Sequence, residues 1–111
     1  MIEFAEFDAV EMRVGTIVDV REFPEAHKPA YKLSIDFGPE LGVKNSRARI
    51  TRPYEDMQEL RGKQVVAVTN LSPRQVGPFV SEVLVLGIEL EDQSVPLIVP
   101  DKDVPNGLRV S

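Results

Sequence analysis

Tyr31-Lys32-Leu33-Ser34-Ile35-Asp36-Phe37 alternates apolar and polar residues without a fault. Tyr31, Leu33, Ile35 and Phe37 fall on one face of an extended chain, and Lys32, Ser34 and Asp36 on the other. That is the pattern of a half-buried antiparallel strand, with one side on a core and one in water. Everything around this stretch repeats the theme. Upstream, Arg13–Val20 is a second strand, with Gly15 where a strongly bent barrel strand needs no side chain. Between the two, Glu22–Pro29 is a turn-rich connection with two prolines. Downstream, Gly38-Pro39-Glu40-Leu41-Gly42 is a turn, and Ser46–Thr51 alternates again, with Ala48 and Ile50 inward and Arg47, Arg49 and Thr51 outward.

Pro53–Leu60 reads as one short helix. Pro53 suits its first turn, Glu55 and Asp56 its positive end, and Gly62 its stop, with Met57 and Leu60 facing the core. Gln64–Thr69 and Val83–Leu86 are two further strands rich in β-branched residues. They flank Asn70–Glu82, whose two prolines, glycine and arginine mark a shaped loop of the kind that carries binding groups. At the ends, Phe4, Phe7 and Val10 fall near helical spacing within Ile2–Glu11. Val95–Val99 is an apolar run closed by Pro100, and Pro105-Asn106-Gly107 is a turn. Five strands with a short helix between the third and fourth, plus short N- and C-terminal extensions, is the element order of an oligonucleotide/oligosaccharide-binding (OB) barrel, an all-β Greek key. A seven-strand sandwich leaves the helix unexplained.

The 111 residues, 42% of them hydrophobic, make one domain over 1–111 with one core. No run approaches the roughly 20 apolar residues of a membrane span. The acidic start Met1-Ile2-Glu3-Phe4-Ala5-Glu6 does not read as a signal peptide, so the expected location is the cytoplasm. Cysteine is absent, which removes disulfides, thiolate catalysis and cysteine-held metals. His27 is the only histidine, so no histidine metal cluster exists. No serine sits in a nucleophile elbow, and the carboxylates Glu89, Glu91, Asp92, Asp101 and Asp103 lack calcium-loop spacing. No glycine motif cradles a phosphate. An enzyme, a cofactor and a metal are therefore not expected.

What remains is binding. The net charge is -5, but it is unevenly spread: Lys44 to Arg74 holds seven basic residues against three acidic ones. Arg47 and Arg49 share a strand face, about 7 Å apart, close to the spacing of phosphates along a nucleic-acid strand. Lys32, Arg47, Arg49, Arg52 and Arg74 are candidate phosphate contacts, and Asn70, Ser81 and Glu82 candidate hydrogen-bonding groups. Aromatics are only 6%, too few for a base-stacking platform. Phe4 and Phe7, with Val95, Leu97 and Val99, offer more apolar surface than one small barrel needs, which points to a homodimer.

Met12-Arg13-Val14-Gly15-Thr16-Ile17-Val18, and Asn70-Leu71-Ser72-Pro73-Arg74 followed by Val80-Ser81-Glu82-Val83-Leu84, resemble the tRNA-binding domain family. That family comprises OB-folds appended to methionyl- and tyrosyl-tRNA synthetases and related cytokine-like proteins. Glu22–Leu33, Ile35-Asp36-Phe37-Gly38, Pro100-Asp101 and Val104-Pro105-Asn106-Gly107 are similar to its bacterial CsaA group. The resemblance implies a homodimeric, export-related chaperone for unfolded preproteins, with tRNA binding carried by the shared fold. The alternative is a free-standing tRNA-binding protein assisting a synthetase. The family's tRNA surface falls on Ser46, Arg49, Asn70, Arg74, Ser81 and Glu82. A chaperone also asks for an exposed apolar groove, for which Phe23, Pro24, Tyr31 and Phe79, hydrophobic residues beside loops, are the candidates.

Overall fold

A computed structural model describes all 111 residues. Its elements are helix α1 (Phe4–Asp8), strands β1 (Met12–Glu22), β2 (Tyr31–Asp36) and β3 (Val43–Ala48), a 3-10 helix (Met57–Leu60), then β4 (Gln64–Val68), β5 (Arg74–Val76), β6 (Phe79–Ser81) and β7 (Leu84–Val85). Five strands form one antiparallel sheet in the order β3-β2-β1-β4-β7, and β5 and β6 form a separate hairpin. The sheet curls until β3 and β7 approach without a ladder between them. The result is a nearly closed five-stranded barrel of the OB type, as expected.

Eleven-residue β1 makes the curl possible, because it serves two neighbours in turn. Met12–Thr16 pairs with β4 and Thr16–Glu22 with β2. An irregularity between Ile17 and Asp19 bends it there, leaving Val18 outside the barrel. At the inner side of the bend, a Cβ on Gly15 would stand 2.6 Å from Ile35 Cγ2 and 2.8 Å from Phe37 Cδ1. Below about 3 Å such contacts do not occur in packed interiors, so the absence of a side chain lets the strands close. Ile17, Leu33, Ile35, Phe37, Leu60, Val65 and Ala67 fill the barrel with no measurable exposure.

The chain ends are tied to β1. Gly107 donates to the Val14 carbonyl (2.8 Å), Val14 to that of Leu108 (3.0 Å), and Val110 to that of Met12 (2.8 Å), along the edge that β2 leaves open. The Asn106 side-chain oxygen accepts from Thr16 Oγ1 at 2.8 Å, so the Pro105-Asn106-Gly107 turn is anchored from inside the fold. Nearby, the Glu11 carboxylate accepts from Thr69 Oγ1 (2.8 Å) and Arg13 Nε (2.9 Å). These bonds favour its ionised form and hold its pKa below the usual carboxylate value.

Four expectations need correction. The helix over Pro53–Leu60 is a single 3-10 turn beginning at Met57, because residues 51–53 turn the chain first and the Asp56 side chain, rather than Pro53, starts the helix by accepting from Gln58 N–H at 3.1 Å. The third strand runs Val43–Ala48, not Ser46–Thr51. It follows its partner, with Asp36 opposite Val43 and Tyr31 opposite Ala48, although Lys44-Asn45-Ser46 has no strand character of its own. Asn70–Glu82 is not simply a loop: Gly77-Pro78 folds it into the β5–β6 hairpin, with Gly77 at φ 59°. The N-terminal helix covers only Phe4–Asp8.

Candidate functional site

Barrel closure, which no ladder between β3 and β7 supplies, comes from two side chains and one backbone bond. Ser81 Oγ accepts from the Arg47 N–H at 3.0 Å, and Glu82 Oε1 accepts from the Asn45 N–H at 3.0 Å. In return the Glu82 N–H donates to the Asn45 carbonyl at 2.8 Å. Lys44 Nζ lies 3.8 Å from the same carboxylate. Ser81 and Glu82, expected as ligand contacts, thus stitch the hairpin onto β3 and bring Arg74, opposite Ser81 in the hairpin, beside Arg47.

Alternation puts Arg47 and Arg49 on the outer face, and register sets Lys32 directly across from Arg47, with Arg21 beyond it. Arg47 is half-buried, and burial, then Arg74, then Arg49, push its pKa below the ordinary arginine value. Burial is the larger cause, and the two neighbouring arginines add positive charge crowded into one place, which an arriving anion relieves. No carboxylate stands within ion-pair distance of Arg47, Arg49 or Arg74. Lys32 is already engaged: its Nζ lies 3.6 Å from Glu25 and 4.7 Å from the centre of the Phe23 ring. The Arg52 guanidinium donates to the Asp92 carbonyl, which pins the acidic 89–94 segment.

Two concavities share Arg47. Along the open seam runs a groove of about 930 Å³, between the end of β3 and the Leu84–Gly87 segment. Ile50, Leu84, Leu86, Val95 and Leu97 give it an apolar lining. Lys28, Arg47, Arg49 and Arg52 supply positive charge against the single acid Glu89. On the other side of Arg47, a pocket of about 160 Å³ lies between Leu71–Arg74 and Ser81–Leu84. Lys28, Leu84 and Leu86 were not among the candidates from the sequence, and Val95 and Leu97 were named there for a dimer contact rather than for a groove. Val83–Leu86 is a continuous apolar run, which reads as a buried strand; only strand order shows that it borders a seam.

Several candidates lie elsewhere than expected. Ser46 has no exposed surface, because it points inward in line with Ala48 and Ile50, and so cannot touch a ligand. Asn70 clamps the N-terminal segment, its amide donating to the Ala9 carbonyl (2.8 Å) and its oxygen accepting from the Glu11 N–H (2.9 Å). Phe23, Tyr31 and Phe79 are buried rather than lining a groove. Phe23 and Phe79 meet edge to face at 5.4 Å in a small second core with Ala30. The Tyr31 hydroxyl donates to the Tyr54 carbonyl at 2.6 Å. Only Pro24 of that set is exposed. Of the residues expected at a dimer contact, Phe4 and Val99 are exposed and Phe7 is half-buried. Val95 and Leu97 pack on the barrel's own core, so less apolar surface is left over than the sequence suggested. No three carboxylate or histidine side chains gather at a spacing that could hold a metal ion, and no helix is long and apolar enough to cross a membrane.

Residues 12–109 match the family described as "Putative tRNA binding domain", and the chain belongs to that family. The CsaA chaperone structure from Bacillus anthracis superposes with a TM-score of 0.93 and 46% identity, covering 100% of this chain and 99% of that one. The CsaA chaperone of Picrophilus torridus gives 0.91 and 46%, with full coverage of both chains. Methionine–tRNA ligase of Bacteroides fragilis is 35% identical over 109 residues, 98% of this chain. The chain spans only 16% of that ligase, so it is similar to one part of it.

Proposed function

We propose that this protein is a chaperone that holds unfolded preproteins for export, working in the cytoplasm and performing no catalytic step. The observation that carries this reading is the seam groove. It is open, its wall of Ile50, Leu84, Leu86, Val95 and Leu97 is apolar, and no aromatic lines it. Likeness along the whole chain to two CsaA chaperones supports the same reading. The test is fluorescence anisotropy of a labelled, unfolded preprotein segment titrated with the protein, repeated with excess tRNA. Saturable binding with a negative heat-capacity change is expected from apolar burial. No binding to the segment, with tRNA still bound, would remove the chaperone reading.

A second reading, a free-standing tRNA-binding protein that assists a synthetase, is favoured by the uncompensated arginines 47, 49 and 74 and by the family to which the chain belongs. On this reading the cluster tracks phosphates without reading bases.

We also infer a homodimer. Ile2, Phe4 and Val99 remain exposed, and the Phe4 and Phe7 rings lie 6.1 Å apart on the N-terminal helix. Sedimentation at micromolar concentration is expected to give twice the 12.4 kDa chain mass. A monomer there would exclude it.

A further inference from the structure

The backbone of β3 has a free edge. Pairing with β2 places Leu33 opposite Ser46 and Tyr31 opposite Ala48, and the odd-numbered residues between turn their N–H and C=O groups the other way. Asn45 spends both of its groups on Glu82, whereas Arg47 gives its N–H to Ser81 Oγ and its carbonyl accepts from the Ser46 hydroxyl. Arg49 is next along the same edge, and neither its N–H nor its C=O has a hydrogen-bond partner in the protein. The same holds for Ile50 and Thr51. The cause is legible in the chain: the register, continued, sets Pro29 opposite Ile50, and a proline has no N–H to give, so the ladder stops at Ala48. Beyond it, Arg52 resumes pairing by accepting from the Val95 N–H at 2.8 Å.

This short stretch of strand edge lies inside the seam groove, where Arg49 is exposed and Thr51 half-exposed. Backbone groups in a concavity are satisfied by water or by a partner's backbone. We propose that the groove takes an extended polypeptide that adds a strand along Arg49–Thr51, with acidic side chains set against Arg47, Arg49 and Lys28. Strand addition uses main-chain bonds for affinity, and alternate side chains for preference. Here every second side chain of the guest meets Leu84, Leu86 or Leu97. A single-stranded nucleic acid fits less well, because the groove offers nothing for bases to stack on. The proposal rests on the polypeptide-capture reading above and specifies how capture occurs.

The test uses a nine-residue peptide of alternating valine and threonine with a glutamate at each end. It is made with a native backbone and in two forms N-methylated at alternate residues, which block one edge or the other. The native peptide is expected to bind and to slow hydrogen exchange at Arg49 and Thr51. Methylation of one edge should weaken binding about tenfold or more and methylation of the other should leave it nearly unchanged, as loss of a few backbone hydrogen bonds requires. Exchanging the glutamates for lysines should weaken it by a similar factor. Equal binding of all three backbones, or protection elsewhere than Arg49–Thr51 while the preprotein segment still binds, overturns strand addition and leaves capture standing. Failure of both peptide and preprotein segment to bind removes capture as well. Protection of these amides by tRNA alone assigns the edge to nucleic acid and overturns the proposal.

Discussion

Truncating Phe37 to alanine lowers the unfolding free energy by about 3–5 kcal/mol, read as a lower urea midpoint at unchanged slope. Phe37 has no exposed surface and belongs to the twelve-residue core. Its ring also occupies the space that Gly15 leaves empty on β1. Loss of the ring therefore removes apolar burial and opens a cavity beside Gly15, in the closed interior of the barrel. The reverse fault is expected from Gly15→Ala, which forces a methyl against Ile35 and Phe37 and costs about 1–3 kcal/mol by overpacking. Combining Gly15→Ala with Phe37→Leu should cost less than the sum, because the smaller side chain yields room for the methyl. A coupling of about 0.5–3 kcal/mol is the scale for residues that touch. Strict additivity would mean that strand and ring do not share that space.

Replacing Arg47, Arg49 and Arg74 together by alanine weakens tRNA binding to a similar extent for tRNAs of different sequence. It also lowers the slope of log affinity against log salt by about 2–3, at about 0.7–0.9 for each phosphate no longer neutralised. Of the single variants, Arg47→Ala should have the largest effect, since this half-buried side chain borders both concavities and sits between the other two charges. Removing it also relieves like-charge crowding, so the fold should tolerate the change. Capture of an unfolded preprotein through the apolar floor should keep its negative heat-capacity change in the triple variant. An unchanged salt slope for tRNA would exclude the arginine cluster as a phosphate track.

The strands that bury one face were legible in the sequence because burial imposes alternation. Tyr31–Phe37 is the clearest, and its residues behave as read, with Tyr31, Leu33, Ile35 and Phe37 inside. The same rule correctly turned Arg47 and Arg49 outward. It failed where pairing, not composition, decides. Val43-Lys44-Asn45 is a strand because β2 supplies a partner, and Thr51 is not, because Pro29 ends the ladder. Phe23 and Phe79 looked like surface residues because each stands beside a loop. They are buried because the two loops pack on each other, an encounter between distant parts of the chain that no local period encodes. Asn70 and Glu82 were recognised as significant polar residues, yet their bonds to Ala9, Glu11 and Asn45 are fixed only by the closed barrel.

The bonding of residues 107–110 to Met12 and Val14 has a kinetic consequence. It joins an early segment of the chain to a late one, so the loop to be closed is nearly the length of the domain. Contacts so distant in sequence form slowly, since chain entropy is lost before they return any stabilisation. During synthesis the open edge of β1 must wait, unpaired, until Val110 has left the ribosome.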